Sequence, residues 1–595
     1  ILKVIDKEDV INEELIRLSR DMSYLYKNSM GQCLSLMVPN AKRDTDAAPF
    51  FEEGDFSPIE ALSPDQERVL REYHGKREEG KTLFYLYGVT GSGKSEVYLR
   101  IAEEVIREGG QVLYMVPEIT LSEQLSKSVK NRFKSRVQIL HSSLTPAQRL
   151  KSARLVKNGD VDIVIGARSA IFAPFKNLKL IIMDEEHESS YKASNAPRYH
   201  ARQLAQLRSR YNDAPLIMGS ATPSFECYKL MKEGRIETLI LPRRIGKGAF
   251  PHIRIVNTLG QRGNISSILN DEIKSELEKK NGVILFLNRR GYSTAVTCNS
   301  CGEVVRCPNC SISLTYHKRS RSLKCHSCGF SQSMIETCPT CHSHDLLSTG
   351  FGTEKIEEEL RCLYPFACIK RLDGDIAQND REYVSTILGE FERGEIDILL
   401  GTQMIAKGLN FPKATLVGVV NADMGLFLPD FRANERTFEL LQQVSGRVGR
   451  YRDDGRVVIQ TSQVDNPAIR AVELNDPEEF YRSEMEIRRK LGYPPYSRMI
   501  NIRIRSRREE RARAEAEAIE EFLSSYFESE DGIEMYPATS ALIEMINNYY
   551  RYHVLIIAKD DAFPYALKVL EVFRSSYRTD SLCQVEIDTD PIDMF

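Results

Sequence analysis

Short apolar runs alternate with stretches of helical periodicity over most of this chain. The runs lie at 82–87, 112–116, 161–165, 178–183 and 215–218, and again at 283–286 and 396–400. Buried strands that alternate with helices are typical of parallel α/β sheets. Because the runs form two series, on either side of about residue 240, they predict two sheets. A nucleotide bound between two such sheets would move one against the other when it is hydrolysed.

A different pattern begins after residue 497. Seven arginines fall between Arg498 and Arg513, and apolar and basic residues alternate over 501–505. This alternation predicts a strand with an arginine face, followed by a helix over 510–526 and a second strand over 549–557. We therefore expect a small α+β domain at 497–595. Its arginine face is either a DNA contact or an ordinary solvated surface.

Length and composition limit the class of protein. With 595 residues, the chain has room for about three to five domains. Hydrophobic residues make up 42% and charged residues 28%, which is typical of folded proteins. The formal net charge is only −3, so a DNA site would have to be local. No apolar run is long enough to span a membrane and no secretory signal opens the chain, so we expect a cytoplasmic protein with no membrane partner.

Eight of the thirteen cysteines form four C-x-x-C pairs within 44 residues. They are Cys298, Cys301, Cys307, Cys310, Cys325, Cys328, Cys338 and Cys341. A C-x-x-C pair presents two thiolates to one tetrahedral ion, so eight ligands predict two structural Zn²⁺ sites. A redox dithiol or a disulfide framework is the alternative, and a reducing cytosol disfavours it. The nearby histidines 317, 326, 342 and 344 are expected at the surface, because the cysteines complete both sites.

A nucleotide site is predicted directly after the first apolar run. The sequence GVTGSGKS at 88–95 matches the P-loop pattern, and a helical pattern follows it. Such a loop wraps backbone N–H groups around phosphates, while its lysine reaches the β and γ oxygens and its serine binds Mg²⁺. The predicted nucleotide-binding residues here are Gly88, Gly91, Ser92, Gly93, Lys94, Ser95 and Glu96.

A second group of nucleotide-site residues follows the apolar run at 178–183. The sequence Asp184-Glu-Glu-His187 stands where a parallel strand ends, which is the edge at which α/β sheets bind ligands. We assign Asp184 to Mg²⁺ and Glu185 to activation of the attacking water. His187 is expected to communicate with the next motif. Glu186 and Glu188 are interpreted as solvated charges.

Two further motifs resemble those of superfamily 2 helicases. They are Gly219-Ser-Ala-Thr-Pro-Ser224 and Gln443-Val-Ser-Gly-Arg447-Val-Gly-Arg450. In that superfamily the two arginines reach from the second RecA-like lobe to the γ-phosphate, and a guanidinium suits the charge that develops there. The resemblance implies this role for Arg447 and Arg450, and it implies that Gln443 places the water. Gln66, in Ser63-Pro-Asp-Gln66, resembles the glutamine that reads adenine.

The resemblance narrows to the replication-restart helicases of this superfamily. It covers about residues 55–595 and rests on 184–202, on Leu287-Asn-Arg-Arg-Gly-Tyr292 directly before the cysteines, and on Tyr493-Pro-Pro-Tyr496. It implies that Cys298, Cys301, Cys338 and Cys341 hold one Zn²⁺ and that Cys307, Cys310, Cys325 and Cys328 hold the other. The cysteine spacing is compatible with a hairpin between Cys310 and Cys325, whose basic residues either contact DNA or are merely solvated.

The same resemblance implies several contacts with single-stranded DNA. The segment 188–202 corresponds to the family's aromatic-rich loop, which couples DNA contact to ATP hydrolysis, with Tyr191, Tyr199 and His200 as candidates for base stacking. Packing in the core is the alternative for Tyr191. Further candidate contacts are Arg168, Ser169, Thr402, Gln403 and Lys407.

The fold class expected from these observations is α/β. It consists of two RecA-like parallel-sheet helicase lobes, an eight-cysteine two-zinc insertion and a small α+β C-terminal domain. Residues 1–42 resemble the end of a domain that binds DNA 3′ ends, and the linker at 43–62 is too short for the family's winged-helix domain. The predicted domains are helicase lobe 1 at 63–240, the start of lobe 2 at 241–297, the insertion at 298–345, the rest of lobe 2 at 346–496 and the C-terminal domain at 497–595.

The expected function is that of an ATP-dependent 3′ to 5′ DNA helicase with ATP, Mg²⁺ and two Zn²⁺. By resemblance it would recognise stalled or repaired replication forks, unwind DNA and help to assemble the primosome. Its partners would be single-stranded and forked DNA, other primosome proteins, single-strand-binding protein and the helicase loader. An RNA helicase of the same superfamily and a zinc-stabilised DNA-binding scaffold with a vestigial ATPase are the alternatives. Against the scaffold, Lys94, Asp184, Glu185, Arg447 and Arg450 are all present.

Overall fold

A computed structural model shows the architecture over most of the chain. It describes residues 10–38, 61–117, 129, 132–133, 136–141, 144–245, 250–261, 263–287, 295–317, 320–348, 353–372, 381–402, 411, 413–448, 454–528 and 530–594. The helices in this part, in chain order, are α1 Glu13–Tyr26, α2 Met30–Met37, α3 Pro64–Glu78, α4 Lys94–Arg107, α5 Pro146–Asn158, α6 Ala201–Asn212, α7 Phe225–Lys232, α8 Ser267–Glu278, α9 Thr353–Leu363, α10 Arg381–Arg393, α11 Asp423–Leu426, α12 Ala433–Ser445, α13 Pro467–Leu474, α14 Pro477–Leu491, α15 Glu509–Phe527 and α16 Phe563–Ser576.

The strands of the same ranges form five sheets. In chain order they are β1 Leu83–Gly88, β2 Gln111–Met115, β3 Val137–Leu140, β4 Ile163–Gly166, β5 Leu178–Asp184, β6 Leu216–Ser220, β7 Glu237–Leu241, β8 His252–Asn257, β9 Gly282–Leu287, β10 Val296–Cys298, β11 Thr315–His317, β12 Ser322–Lys324, β13 Ser331–Ser333, β14 Leu346–Ser348, β15 Ile369–Leu372, β16 Ile398–Gly401, β17 Ala414–Asn421, β18 Arg456–Thr461, β19 Arg498–Ser506, β20 Ile533–Ile546, β21 Tyr549–Ala558 and β22 Cys583–Thr589.

The first large sheet has seven parallel strands in the order β3-β4-β2-β5-β6-β1-β7. Its inner strands are buried on both faces, as expected for a parallel sheet that helices cover on either side. The predicted P-loop and the sequence Asp184–His187 both follow inner strands of this sheet, β1 and β5. They therefore meet at the same edge.

The second large sheet has six parallel strands in the order β15-β16-β9-β17-β18-β8. The two-sheet prediction is therefore confirmed. The eight-residue strand β17, buried over seven residues, is central to this sheet. Helix α12 carries Gln443 in its last turn and packs with Phe438 and Leu441 into the core of this lobe.

Helices α1 and α2 pack onto the first lobe. Leu15, Leu18 and Met22 of α1 are fully buried in the same apolar cluster as β5 and α6. Arg208 of α6, also fully buried, forms two hydrogen bonds of 2.7 and 2.8 Å with the carboxylate of Glu14. The described residues 10–38 thus share the first lobe's core, whereas the sequence suggests part of a separate domain.

The last domain is a four-stranded antiparallel sheet in the order β20-β21-β19-β22. Ile500, Ile502 and Ile504 of β19 are buried under α15 and α16, while Arg503 and Arg505 point to the other face. The predicted α+β arrangement is confirmed. Within the described part of the chain, no helix is long and apolar enough to cross a membrane.

The cysteine-rich insertion consists of two small sheets, β10-β14 and β11-β12-β13. The antiparallel pair β11 and β12 forms the hairpin predicted between the inner cysteine pairs. The insertion docks on the last domain, because Lys324 donates a hydrogen bond of 2.8 Å to Ser540. It also contacts the end of lobe 2, where Tyr493 donates a hydrogen bond of 3.2 Å to the carbonyl of Cys310.

Candidate nucleotide cleft and zinc sites

The loop between β1 and α4 has the shape of a phosphate cradle. Gly91 and Gly93 both have φ near +80°, a conformation that glycine adopts without strain. A Cβ on Gly93 would lie 2.2 Å from Ile245 Cδ1 and 2.6 Å from Gln66 Nε2, so both side chains would have to move to admit any other residue. Consecutive N–H groups at the start of a helix then face the cleft.

Two side chains of this loop test the fit to a nucleotide. The buried Ser92 hydroxyl has no hydrogen-bond partner among the described residues. Lys94, also buried, donates from Nζ to the carbonyl of Gly88 at 2.9 Å. A buried hydroxyl and a buried ammonium both favour an anion at this position. The residues present therefore fit the phosphates of ATP.

Other predicted nucleotide residues have different surroundings. The Gln66 amide accepts from Ser63 N at 2.8 Å and donates to Gly93 O at 3.1 Å, which ties α3 to the P-loop. Its contact with adenine stays a prediction. The carboxylate of Glu96 pairs with Arg100 and Arg132, each at 2.8 Å, and its contact with the nucleotide also stays a prediction.

The predicted catalytic carboxylates stand at the end of β5. Burial raises the pKa of Asp184 to about 7, with Glu185 adding to the shift and Lys94 opposing it. A cation bound here would favour the ionised carboxylate. Glu185 has a φ of 46°, a strained value for a residue with a side chain, and such strain is concentrated at functional sites.

A chain of hydrogen bonds connects Gln443 of the second lobe to Glu185 of the first lobe. Gln443 Nε2 lies 2.8 Å from His187 Nε2, His187 Nδ1 lies 2.7 Å from Ser220 Oγ, and Ser220 Oγ lies 2.9 Å from Glu185 Oε2. If the Gln443 amide nitrogen donates, His187 carries its proton on Nδ1 and the Ser220 hydroxyl donates to Glu185. The structure thus brings together three predicted motifs, because His187 contacts both the serine of Gly219–Ser224 and Gln443 of the second lobe.

Glu186 is not a solvated charge, so that interpretation is wrong. Its side chain is buried and accepts hydrogen bonds from Arg202, from Ser224 Oγ at 2.8 Å and from Tyr85 at 3.3 Å. Glu188 is buried as well. In the sequence both belong to a charge run, and nothing near them in the chain indicates that Arg202 folds back onto Glu186.

The candidate DNA loop at 188–202 is held against the first lobe. Arg168, itself a predicted DNA contact, donates to the carbonyls of Ser190, at 3.0 Å, and Lys192. Tyr191, Tyr199 and His200 are all buried, and Tyr191 donates to the carbonyl of Asp184 at 2.8 Å. In this conformation none of the three rings is exposed for stacking on a base. Tyr191 is packed in the apolar core of the first lobe, which is the alternative given for it above.

The second lobe reaches the P-loop directly. A Cβ on Gly446 would lie 2.9 Å from Thr90 Cγ2, so this glycine permits a close approach between the lobes. The adjacent Arg447 is buried at this contact. Arg450 lies outside the described residues, as do Gln403 and Lys407.

The eight cysteines form two clusters, each with four sulfur atoms within 4.8 Å of one another. One contains Cys298, Cys301, Cys338 and Cys341, and the other contains Cys307, Cys310, Cys325 and Cys328. Separations of 3.5 and 3.6 Å between sulfurs are close to the value of about 3.8 Å that four Zn–S bonds of about 2.3 Å require. The two clusters fit two Zn²⁺ ions, in the pairing that the resemblance implies.

One histidine of this region is not at the surface. His326 is 5% exposed; its Nδ1 lies 2.9 Å from the carbonyl of Ser540 and its Nε2 lies 2.9 Å from His317 Nε2. Burial lowers the pKa of His326 to about 3. The expectation of a surface residue is wrong here, because the insertion folds against the last domain.

Four family models match this chain. DEAD/DEAH box helicase matches 63–230, and Helicase conserved C-terminal domain matches 332–452. PriA DNA helicase Cys-rich region domain matches 307–332, and Primosomal protein N C-terminal domain matches 489–592. Two parallel sheets with a P-loop on one and Gln443 from the other reaching His187, together with these matches, define a superfamily 2 DNA helicase.

Curated relatives narrow the family. The replication restart protein PriA of Treponema pallidum (strain Nichols) is 40% identical over 100% of this chain and 90% of its own length. The PriA proteins of Borreliella burgdorferi and Bacillus subtilis (strain 168) are 35% and 40% identical, over 100% and 90% of this chain and 89% and 65% of their own lengths. The chain belongs to the PriA family of replication-restart helicases. It is an ATP-dependent DNA helicase that uses ATP, Mg²⁺ and two Zn²⁺.

Proposed function

We propose that this chain translocates 3′ to 5′ on single-stranded DNA and unwinds stalled or repaired replication forks. It then helps to assemble the primosome with single-strand-binding protein and the helicase loader, in the cytoplasm. The observation that carries the ATP-driven part is the chain of hydrogen bonds from Gln443 through His187 and Ser220 to Glu185. It makes the environment of the proposed catalytic base depend on the position of the second lobe.

The proposed chemistry assigns one task to each residue of the cleft. Lys94 and the P-loop N–H groups hold the phosphates, while Ser95 and Asp184 are the protein ligands for Mg²⁺. Bound MgATP supplies the phosphoanhydride bond that is cleaved. Glu185 orients the attacking water and accepts its proton, and the Ser220 hydroxyl fixes the carboxylate in place.

The second lobe completes the cleft in this proposal. Gln443 helps to position the water, and Arg447 and Arg450 stabilise the negative charge that develops on the transferred phosphoryl group. Gly446 already approaches Thr90 of the P-loop closely, so the second lobe stands beside the phosphate cradle in this arrangement. Opening and closing would move the lobes relative to each other along bound DNA.

A local DNA contact is proposed where the loop 188–202 meets the last sheet. A cavity of about 50 Å³ is lined by Arg198, Arg503, Arg505 and Arg551, with Glu586 as its single carboxylate. Burial and the charge of Arg198 and Arg551 lower the pKa of Arg503 to about 10, as expected when like charges are crowded together. An anion relieves that repulsion, and a DNA backbone phosphate is the proposed ligand.

The test of this contact is salt-dependent DNA binding. Arg551→Gln is expected to weaken binding to single-stranded DNA of any sequence and to reduce the slope of log Kd against log salt by about 1. Arg513→Gln, an exposed arginine paired with Glu517, is the matched control and should leave the slope unchanged. An unchanged slope in Arg551→Gln would contradict the proposal that a DNA phosphate binds in this cavity.

The test of the whole function measures ATPase activity and unwinding together. Hydrolysis is compared without nucleic acid, with single-stranded DNA and with single-stranded RNA, and unwinding is compared on duplexes with a 3′ or a 5′ single-stranded tail. We expect DNA to stimulate hydrolysis, and we expect unwinding only of the duplex with the 3′ single-stranded tail. Lys94→Ala should abolish hydrolysis and spare DNA binding. Stimulation by RNA alone would contradict the proposal.

A further inference from the structure

Residues 588–593, hereafter the strap, lead from the end of β22 into the seam between both lobes and the last domain. Asp590, Pro591 and Ile592 line a cavity of about 600 Å³ there. His187 and Gln443 line the same cavity. The strap therefore lies close to the hydrogen-bond chain that ends at Glu185, without being part of it.

On one side the strap is fixed to the first lobe. Lys192 of the loop 188–202 forms an ion pair with Asp588, with Nζ 2.8 Å from Oδ1, and donates a hydrogen bond of 2.5 Å to the carbonyl of Thr589. The side chains of Lys192 and Asp588 are only 3% and 5% exposed, so this pair is shielded from solvent. Directly after the loop, Gln203 donates to Asp590 Oδ2 at 2.6 Å.

On the other side the strap is fixed to the second lobe. Arg432 donates to the carbonyl of Pro591 at 3.1 Å, and Arg436 donates to the carbonyl of Ile592. Arg436 also pairs with Asp593 at 3.1 Å. Arg432 directly precedes α12 and Arg436 lies in its first turn, so the strap holds the start of the helix whose last turn carries Gln443.

The geometry gives α12 two separate supports. Arg436 and Gln443 are seven residues apart, so they lie on the same face of one helix, two turns from each other. His187 holds the last turn through Gln443, and the strap holds the first turn. Because a packed helix moves as a rigid body, a shift of the strap changes where Gln443 meets His187.

We propose that the strap is a positioning element that transmits movement of the loop 188–202 to α12, and thereby sets how strongly DNA stimulates hydrolysis at Glu185. The proposal rests on the DNA-stimulated ATPase proposed above. Asp588 and Asp593 are its positioning residues, since each acts through an arginine or lysine of a lobe and neither touches the nucleotide cleft.

The test replaces the two carboxylates with their amide isosteres. Asp588→Asn removes the charge opposite Lys192, and Asp593→Asn removes the one opposite Arg436. Each variant is expected to reduce the ratio of DNA-stimulated to DNA-free kcat by about tenfold, within the usual range of coupling changes. DNA-free kcat and the Kd for single-stranded DNA should stay at wild-type values. Tm should stay at the wild-type value for the half-exposed Asp593→Asn and should fall for Asp588→Asn, which leaves the buried Lys192 without its carboxylate. Asp580→Asn, which removes a surface pair with Arg511 in the same domain, is the matched control.

Two further variants distinguish transmission from local damage. Asp588→Glu keeps the charge and should restore part of the DNA stimulation. If the strap acts as one unit, the double variant Asp588→Asn/Asp593→Asn is no worse than the more affected single variant, whereas independent contacts would multiply their losses. If Asp588→Asn does not fold, the half-exposed Asp593→Asn carries the test alone.

The outcomes separate the two proposals. A wild-type enzyme that DNA does not stimulate would contradict the proposed function and with it the premise of the strap. A stimulated wild type together with fully stimulated variants would overturn the strap alone. The strap is also overturned if DNA-free and DNA-stimulated kcat fall in the same proportion, because that result reports general damage to the cleft.

Discussion

At the scale of single residues, the buried carboxylate of Glu186 anchors the segment that follows the predicted catalytic pair. It accepts hydrogen bonds from Arg202, from Ser224 and from Tyr85. It thereby joins the end of β5 to α6 and to the start of α7. A buried charge of this kind is costly unless its partners stay in place, so it fixes the path of the chain around Glu185.

The first prediction concerns Glu186. Glu186→Ala leaves Arg202 buried without its carboxylate, and such a loss costs about 3–5 kcal/mol in the free energy of unfolding. We expect a clearly lower Tm of the first lobe in thermal unfolding followed by circular dichroism. Glu486→Ala removes an exposed pair with Lys490 and should change Tm little. Equal Tm values for the two variants would mean that the buried network is not stabilising.

The second prediction concerns pH and Asp590. Burial alone would raise its pKa, but Arg498, at 3.0 Å, outweighs burial and lowers the pKa to about 2. Because the folded pKa lies below the ordinary value of 3.8, Asp590 stabilises the fold above about pH 4 and loses this contribution as pH falls towards 2.

The measurement is Tm as a function of pH for wild type and Asp590→Asn. The difference in Tm between the two proteins should be largest near pH 6 and should shrink between pH 4 and pH 2. Asp561→Asn, at a solvent-exposed position, serves as the control and should give a pH-independent difference. A constant difference for Asp590→Asn would contradict the ion pair with Arg498.

At the scale of elements, the zinc insertion is held together by metal ligands more than by an apolar core. Its strands have only three residues each. The inner cluster of cysteines is packed among Val305, Ile312 and Leu323, whereas Cys341 of the outer cluster is exposed. Metal binding therefore supplies folding free energy that such short strands lack.

The third prediction is stepwise release of zinc. A metallochromic chelator should remove one Zn²⁺ per chain quickly, from the exposed outer cluster, and the second more slowly, from the buried inner cluster. Cys341→Ser is expected to abolish the fast phase only, and Cys310→Ser the slow phase only. Total zinc is checked by atomic emission. Release of both ions in a single phase from the wild-type protein would contradict the inference that the outer cluster is more accessible than the inner one.

At the scale of the whole molecule, the lobes meet in a closed arrangement. Tyr228 of α7 stacks on Tyr481 of α14 with ring centroids 4.3 Å apart, and Glu226 pairs with Arg432 at 3.0 Å. On the cleft side Gly446 approaches Thr90. Aromatic packing on one side and a close backbone approach on the other leave little space between the lobes at the P-loop.

The fourth prediction concerns that space. Gly446→Ala places a methyl group 2.9 Å from Thr90 Cγ2, so the lobes must separate slightly or Thr90 must move. Since the charge on the transferred phosphoryl group is stabilised from the second lobe, we expect kcat to fall by about tenfold or more while Kd for ATP changes little. Gly75→Ala, which has open space around it in α3, is the matched control. Unchanged kcat in Gly446→Ala would mean that closure tolerates this methyl group.

Much of the secondary structure can be predicted from the sequence alone. The P-loop strand, the strand before Asp184, the hairpin between the inner cysteines and the isoleucine face of β19 all follow from local periodicity or ligand spacing. Strand β17 was missed although it is central to the second sheet. A short, wholly apolar run cannot be assigned to a strand or a helix by periodicity alone.

The amino-acid sequence by itself determined the residue types of the nucleotide cleft and of both zinc sites, because phosphate and zinc chemistry require particular side chains at short, fixed spacings. Only the tertiary structure decided which distant groups meet: Gln443 with His187, Glu186 with Arg202, and the strap with both lobes. These contacts join residues that are far apart in the chain, and their side chains pair because packing of the lobes and the last domain removes them from water.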